Sequence, residues 1–187
     1  KDKNTGIGAF GGHAHNALPR IKGRLNLPEP IFSNFESDIT ICQEDAVSLS
    51  QKLTGLDVAY LDPPYNQHPY GSNYFMLNLI LKNPLPEAPA IKVSRVSGIP
   101  GDWNRSTFNY KKLALNSLEE IIKNLDARYI IISYNSEGFI TLDQMKEMLE
   151  KYGGVKTVEI KYNAFKGSRN LSARDIHVKE YLFVLRK

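Results

Sequence analysis

Apolar residues along the chain fall into short, sharply bounded runs whose spacing switches between the strand and helix periods. Ile39-Thr40-Ile41-Cys42 predicts a short strand, with a short helix following from Asp45 to Lys52. Asp57 to Leu61 predicts the next strand, in which Val58, Ala59, Tyr60 and Leu61 form a buried run. Asn73 to Leu81 is crowded enough with apolar residues for a largely buried helix. From Asn83 to Asn109 the prolines Pro84, Pro86, Pro89 and Pro100, set among glycines and serines, predict a long irregular loop. A loop of that length inside a compact domain is usually functional or disordered.

Helical spacing returns from Tyr110 to Leu125 through Leu113, Leu118, Ile121, Ile122 and Leu125. Tyr129 to Ser133 predicts an apolar, β-branched strand that the polar stretch SYNSEGFI and its Gly138 interrupt. Thr141 to Tyr152 predicts a helix capped by Thr141 and stopped by Gly153-Gly154. Val155 to Tyr162 alternates as a strand, Asn163 to Asp175 is a basic loop, and His177 to Leu185 is a last strand. Strand and helix alternate through most of the chain, which predicts an α/β fold with a mostly parallel sheet covered on both faces. The last two strands lack room for an intervening helix, so they are expected to form an antiparallel hairpin at one edge.

Composition narrows the picture. With 187 residues and 42% hydrophobic content, the chain can bury one sizeable core. Its single cysteine, Cys42, permits no internal disulfide and points to a cytoplasmic setting. No apolar run approaches the length of a membrane span. A net charge of +4 suits a polyanionic partner and equally an ordinary basic surface. His13 and His15 lie two apart on a glycine-rich stretch without a cysteine or carboxylate partner nearby, so they are expected to be polar loop residues, with no metal bound.

The chemistry concentrates at Asp62-Pro63-Pro64-Tyr65, directly after the Asp57–Leu61 run. Two consecutive prolines fix φ, remove two backbone donors and hold the residue before them extended. A carboxylate, two free carbonyls and an aromatic ring are thereby presented rigidly at a strand's carboxyl end, where open α/β sheets bind their ligands. A proline-rich turn that merely ends a strand is the competing reading of the motif alone.

Asp62-Pro63-Pro64-Tyr65, with Gly71-Ser72-Asn73-Tyr74-Phe75 after it, resembles the catalytic motif of Dam-type DNA adenine methyltransferases. The resemblance continues through ITICQEDA (Ile39 to Ala46), IIISYNSEGF (Ile130 to Phe139), FKGSRN and VKEYLFVLRK, covering roughly Arg20 to Lys187. It implies a Rossmann-like methyltransferase fold, S-adenosylmethionine as methyl donor, double-stranded DNA as substrate and a cognate restriction endonuclease as a possible partner, in a cytoplasmic, nucleoid-associated setting without a membrane. It also implies roles for Asp62, Pro63, Pro64 and Tyr65. Adenine's exocyclic amine is a poor nucleophile because its lone pair is delocalised into the ring. Hydrogen bonds from that amine to Asp62 and to the Pro63 carbonyl would free the lone pair, and the Tyr65 ring would stack on the extruded base. Ser133, Tyr134 and Asn135 are expected to line the base pocket, and Asn73-Tyr74 to steady Tyr65 or the donor, with plain packing as the alternative for the latter pair.

By the same resemblance, Asp45 and the backbone N–H of Ala46 contact the donor's adenine, with Asp62 bordering it; the alternative for Asp45 is a helix cap. Enzymes of this kind also carry a glycine-rich block after their first strand. Gly8-Ala9-Phe10-Gly11-Gly12 has no strand before it, so the chain is expected to be a fragment holding half a donor pocket. Residues 1–35 are expected to be the tail of a DNA-recognition module or a linker, and residues 36–187 the catalytic domain. Arg20, Lys22, Arg24, Arg105, Lys166 and Arg169 are the expected DNA contacts, supplying salt-dependent affinity through phosphates. Two rivals remain open: a degenerate methylase that only binds DNA, and an amino-methyltransferase acting on cytosine's amine, an RNA base or protein glutamine.

Overall fold

The computed structural model describes residues 28–74, 77–78, 81, 105–163 and 177–187. The chain divides into two compact units, residues 1–44 with 91–101, and residues 45–90 with 102–187. In the first unit, the described residues 28–44 form neither helix nor strand. The strand expected at Ile39–Cys42 is therefore absent, and Ile39 and Ile41 are 78% and 90% exposed. Apolar alternation makes a segment suitable for a sheet, but only a neighbouring ladder makes it a strand.

The second unit holds the ordered architecture. Its elements are α1 (Ala46–Ser50), β1 (Leu56–Leu61), the helical turn α2 (Tyr70–Asn73), a 3₁₀ turn (Thr107–Asn109), α3 (Lys111–Asn124), β2 (Ala127–Asn135), α4 (Leu142–Glu150), β3 (Gly154–Asn163) and β4 (His177–Arg186). Leu77, Asn78 and Leu81 are also helical, in the stretch where a largely buried helix was expected from Asn73, but Leu77 and Leu81 are 54% and 82% exposed. The four strands form one sheet in the order β1-β2-β4-β3. β1 and β2 run parallel, whereas β2–β4 and β3–β4 are antiparallel. Among the described residues the sheet is thus mixed rather than mostly parallel, because β4 inserts between β2 and β3. The edge hairpin of β3 and β4 forms as expected.

One face of the sheet carries the core. Ala59, Ile130, Ile132, Tyr134, Tyr181, Phe183 and Leu185 pack against Ala114, Leu118, Ile121 and Ile122 of α3 and Met145, Met148 and Leu149 of α4. These helix positions recur three and four apart, which gives each helix a single apolar stripe to bury. The other face is open in part: Val58, Tyr60 and Ile160 are 53%, 60% and 56% exposed. Cover on both faces is therefore not found among the described residues.

Local signals set the element ends. Thr141 and Gln144 form a reciprocal capping box at the start of α4. Asp45 caps α1 by accepting from the Ser48 N–H at 3.1 Å. β2 runs to Asn135, two residues beyond the expected end at Ser133, because Ser133, Tyr134 and Asn135 pair with Leu182, Tyr181 and Glu180 of β4. Backbone pairing with β4 overrides the polar side chains that suggested a break. Among the described residues no helix is long and apolar enough to cross a membrane.

Candidate active site

β1 ends at Leu61, and the chain leaves the sheet at Asp62. Asp62 is exposed, while Pro63, Pro64 and Tyr65 are half-buried. The Tyr65 hydroxyl donates to Asp62 Oδ1 at 2.8 Å, so the first and last side chains of the motif brace one another. Burial pushes the Tyr65 hydroxyl well above its usual pKa; the Ser133 hydroxyl opposes the rise, and the bond to Asp62 with the charges of Asp62 and Glu180 adds to it. Tyr65 therefore stays a neutral donor to the carboxylate at any working pH.

The loop is anchored from below. The Phe139 N–H donates to the Tyr65 carbonyl at 2.9 Å. The Tyr134 hydroxyl donates to that same carbonyl at 3.4 Å and accepts from the buried Ile140 N–H at 3.2 Å. The Tyr65 and Tyr134 rings meet edge to face, 5.1 Å between centroids at 67°. One residue on, the Asn66 carbonyl accepts from the buried Asn109 amide at 2.9 Å. Gly138 completes the support. A Cβ built there would lie 2.3 Å from the Tyr134 ring, so only glycine lets the Asn135–Phe139 turn close over that tyrosine.

Several expectations change here. Tyr134 is fully buried and supports the loop instead of lining a base pocket. Ser133 lies beside the Tyr65 hydroxyl, and Asn135 lies beside Glu180, where its amide favours the ionised carboxylate. Tyr74 stacks on Tyr70 with centroids 5.7 Å apart, and no contact of Tyr74 with Tyr65 is seen among the described residues. Asp45 is exposed and its Oδ1 serves the cap of α1, which is the alternative its position allowed. The strand expected just before it, Ile39–Cys42, is absent. Arg105 is exposed just before the 3₁₀ turn. Arg20, Lys22, Arg24, Lys166 and Arg169, the Gly8–Gly12 stretch and most of the Asn83–Asn109 loop lie outside the described residues.

Residues that the sequence reading passed over also belong to the site. Asn109 and Phe139 reach the loop from 43 and 74 positions away, and no local pattern marks them. Glu180 is half-buried on β4, directly across from Asn135. Desolvation raises the Glu180 pKa, the Asn135 amide opposes this, and the charge of Asp62 adds to the rise. Its only trace in the sequence is an acid interrupting an apolar run. Among the described residues no group of three or more His, Cys, Asp or Glu side chains is placed to hold a metal ion.

The site is a braced carboxylate at the carboxyl end of a parallel strand in an α/β domain, and the sequence comparisons give it a family. Residues 3–148 match the model of the D12 class N6 adenine-specific DNA methyltransferases, and the chain belongs to that family. Among curated relatives, it is 38% identical over 140 residues to the type II methyltransferase M.CviAII of Paramecium bursaria Chlorella virus 1, covering 75% of this chain and 39% of that protein. It is 32% identical over 180 residues to the type II methyltransferase M.NlaIII of Neisseria lactamica, covering 95% of this chain and 52% of the relative. With M.FokI of Planomicrobium okeanokoites it shares 30% identity over 184 residues, covering 96% and 27%. The chain thus spans about half or less of the length of these relatives. No solved structure matches it.

Proposed function

We propose that this chain carries the catalytic station of a site-specific DNA adenine methyltransferase, which moves a methyl group from S-adenosylmethionine to the exocyclic amine of an adenine extruded from the duplex. The observation that carries this reading is the exposed Asp62 carboxylate, braced by Tyr65 at 2.8 Å where β1 leaves the sheet, in a chain of an adenine-methylating family. Asp62 accepts one hydrogen bond from the amine and the Pro63 carbonyl accepts the other. Together they draw the lone pair out of conjugation and orient it toward the methyl group. Pro63 and Pro64 keep these acceptors in place, since transfer depends on near-attack geometry. The half-buried Tyr65 ring offers the base a stacking face and replaces stacking lost on extrusion.

The donor supplies an electrophilic methyl group on a sulfonium sulfur. Asp45 and the first-turn N–H of Ala46 suit its adenine end: Asp45 is exposed, and among the described residues only Oδ1 of its two carboxylate oxygens is engaged. Asp62 would border the donor's other end. In this reading residues 36–187 form a Rossmann-like catalytic domain, and residues 1–35 belong to a DNA-recognition module or linker. Arg20, Lys22, Arg24, Arg105, Lys166 and Arg169 neutralise backbone phosphates of double-stranded DNA. Two relatives are named modification methylases, which suits a partnership with a restriction endonuclease.

The test is transfer of a tritiated methyl group by the full-length protein to duplex DNA, followed by digestion and identification of the labelled nucleoside. Label in N6-methyladenine is expected. Label in methylated cytosine, in RNA or in protein glutamine would overturn the substrate assignment. Binding of DNA with no transfer would identify a degenerate methylase.

A further inference from the structure

Four polar side chains share one corner of the open face of the sheet. Register and alternation define the corner. Leu61 pairs with Ile132, so Asp62 follows beside Ser133, and Asn135 stands opposite Glu180. Ala59, Ile130, Ile132, Tyr134, Tyr181 and Phe183 fill the core on the other face, so Ser133, Asn135 and Glu180 turn away from it. The titratable groups that face Glu180 among the described residues are Asp62 and Tyr65. Its cross-strand neighbours are Asn135 on β2 and Ile160 on β3. The nearby ion pair of Lys179 with Glu159, at 2.8 Å, belongs to residues of the opposite alternation. Among the described residues no cation pairs with Glu180.

Among the described residues this half-buried carboxylate faces a second carboxylate with no cation beside it, an arrangement that costs stability. Burial and the Asp62 charge both hold its pKa above the usual carboxylate value, while Asn135 opposes them. Such arrangements concentrate at functional sites, where the same field acts on charge that appears during reaction. The reaction proposed above creates such charge. The amine's lone pair forms a bond to the methyl carbon, the carbon–sulfur bond breaks with its electron pair left on sulfur, and positive charge passes from sulfur to nitrogen. The nitrogen then sheds a proton to water.

Resting on that reading, we propose that Glu180 is a positioning residue of the methyl-transfer site, a second carboxylate standing opposite Asn135 in the β2–β4 ladder that acts through the field around Asp62 to favour positive charge on the substrate amine. The field matters more in the transition state than in the ground state, so Glu180 should act on rate and not on binding. The linkage has a definite sign. A carboxylate whose folded pKa is raised contributes stability only while protonated, below its unfolded pKa, and that contribution is lost as pH rises through the folded pKa. Ionised Glu180 therefore lowers stability at neutral pH.

The experiment compares wild type, Glu180→Gln and Asp62→Ala in the full-length protein. It measures single-turnover methyl transfer, duplex affinity by fluorescence anisotropy, and Tm against pH. Glu180→Gln is expected to slow transfer about ten- to a hundredfold and to shift the acid limb of the rate profile to lower pH. DNA affinity should hold or tighten, because a negative charge beside a polyanion is gone. Tm at neutral pH should hold or rise, and the difference should vanish as pH falls below the carboxylate range. An unchanged rate in Glu180→Gln beside an inactive Asp62→Ala would overturn this inference and leave the active-site reading intact. A rate loss accompanied by lower Tm and weaker DNA binding would make Glu180 structural and overturn it too. Turnover by Asp62→Ala would overturn the active-site reading itself.

Discussion

Tyr134→Phe isolates what holds the Asp62–Tyr65 loop down. The exchange removes one buried hydroxyl and almost no volume, so no sizeable cavity opens. Two groups lose a partner. The Tyr65 carbonyl keeps the Phe139 N–H at 2.9 Å, so losing the 3.4 Å contact costs little. The buried Ile140 N–H loses the acceptor it had at 3.2 Å. An orphaned buried donor costs about 1–3 kcal/mol, and removing a desolvated hydroxyl returns part of that, so a net loss of about 1–2 kcal/mol is expected. For a chain of this size that lowers Tm by about 2–8 °C. Urea titration of variant and wild type in parallel should show a lower midpoint with an unchanged slope. Turnover should fall less than about tenfold, because the Phe139 bond still fixes the loop. A stability change below about 0.3 kcal/mol would mean that Ile140 does not depend on this hydroxyl, and the reasoning would fail.

Gly138→Ala should be worse than Tyr134→Phe, about 1–3 kcal/mol with a clear loss of turnover, since the new methyl group displaces the ring that supports Tyr65; equal Tm values for the two variants would contradict this. Thr141→Ala breaks the capping box of α4 and should cost about 0.5–2 kcal/mol in urea titration without altering transfer rate. Arg105→Ala should weaken DNA binding for all sequences alike and reduce the slope of log affinity against log salt by about one, and an unchanged slope would remove it from the phosphate contacts.

The motif and the frame around it were legible because their causes are local. Proline geometry after Val58–Leu61 predicts a rigid carboxylate where β1 ends. Three- and four-residue spacing predicts α3 to within a residue at each end, and Thr141 signals the start of α4. What the sequence concealed is set by partners distant along the chain. Ile39–Cys42 has strand composition without a ladder, whereas Ser133–Asn135 looks like a break and is strand because β4 lies beside it. The supports of the loop, Asn109 to Asn66 and Phe139 to Tyr65, are single bonds across more than 40 positions. Glu180 acquires meaning only through its register with Asn135.

Asp62 is the centre of the account, and one variant tests it most directly. Asp62→Ala in the full-length protein should lose methyl transfer in a single-turnover assay with tritiated S-adenosylmethionine, while duplex affinity measured on the same preparation stays within about threefold of wild type, as the proposed function requires if phosphate contacts and not this carboxylate supply most of the binding. Transfer by that variant at a rate near wild type would contradict the assignment of Asp62 as the residue that prepares the amine.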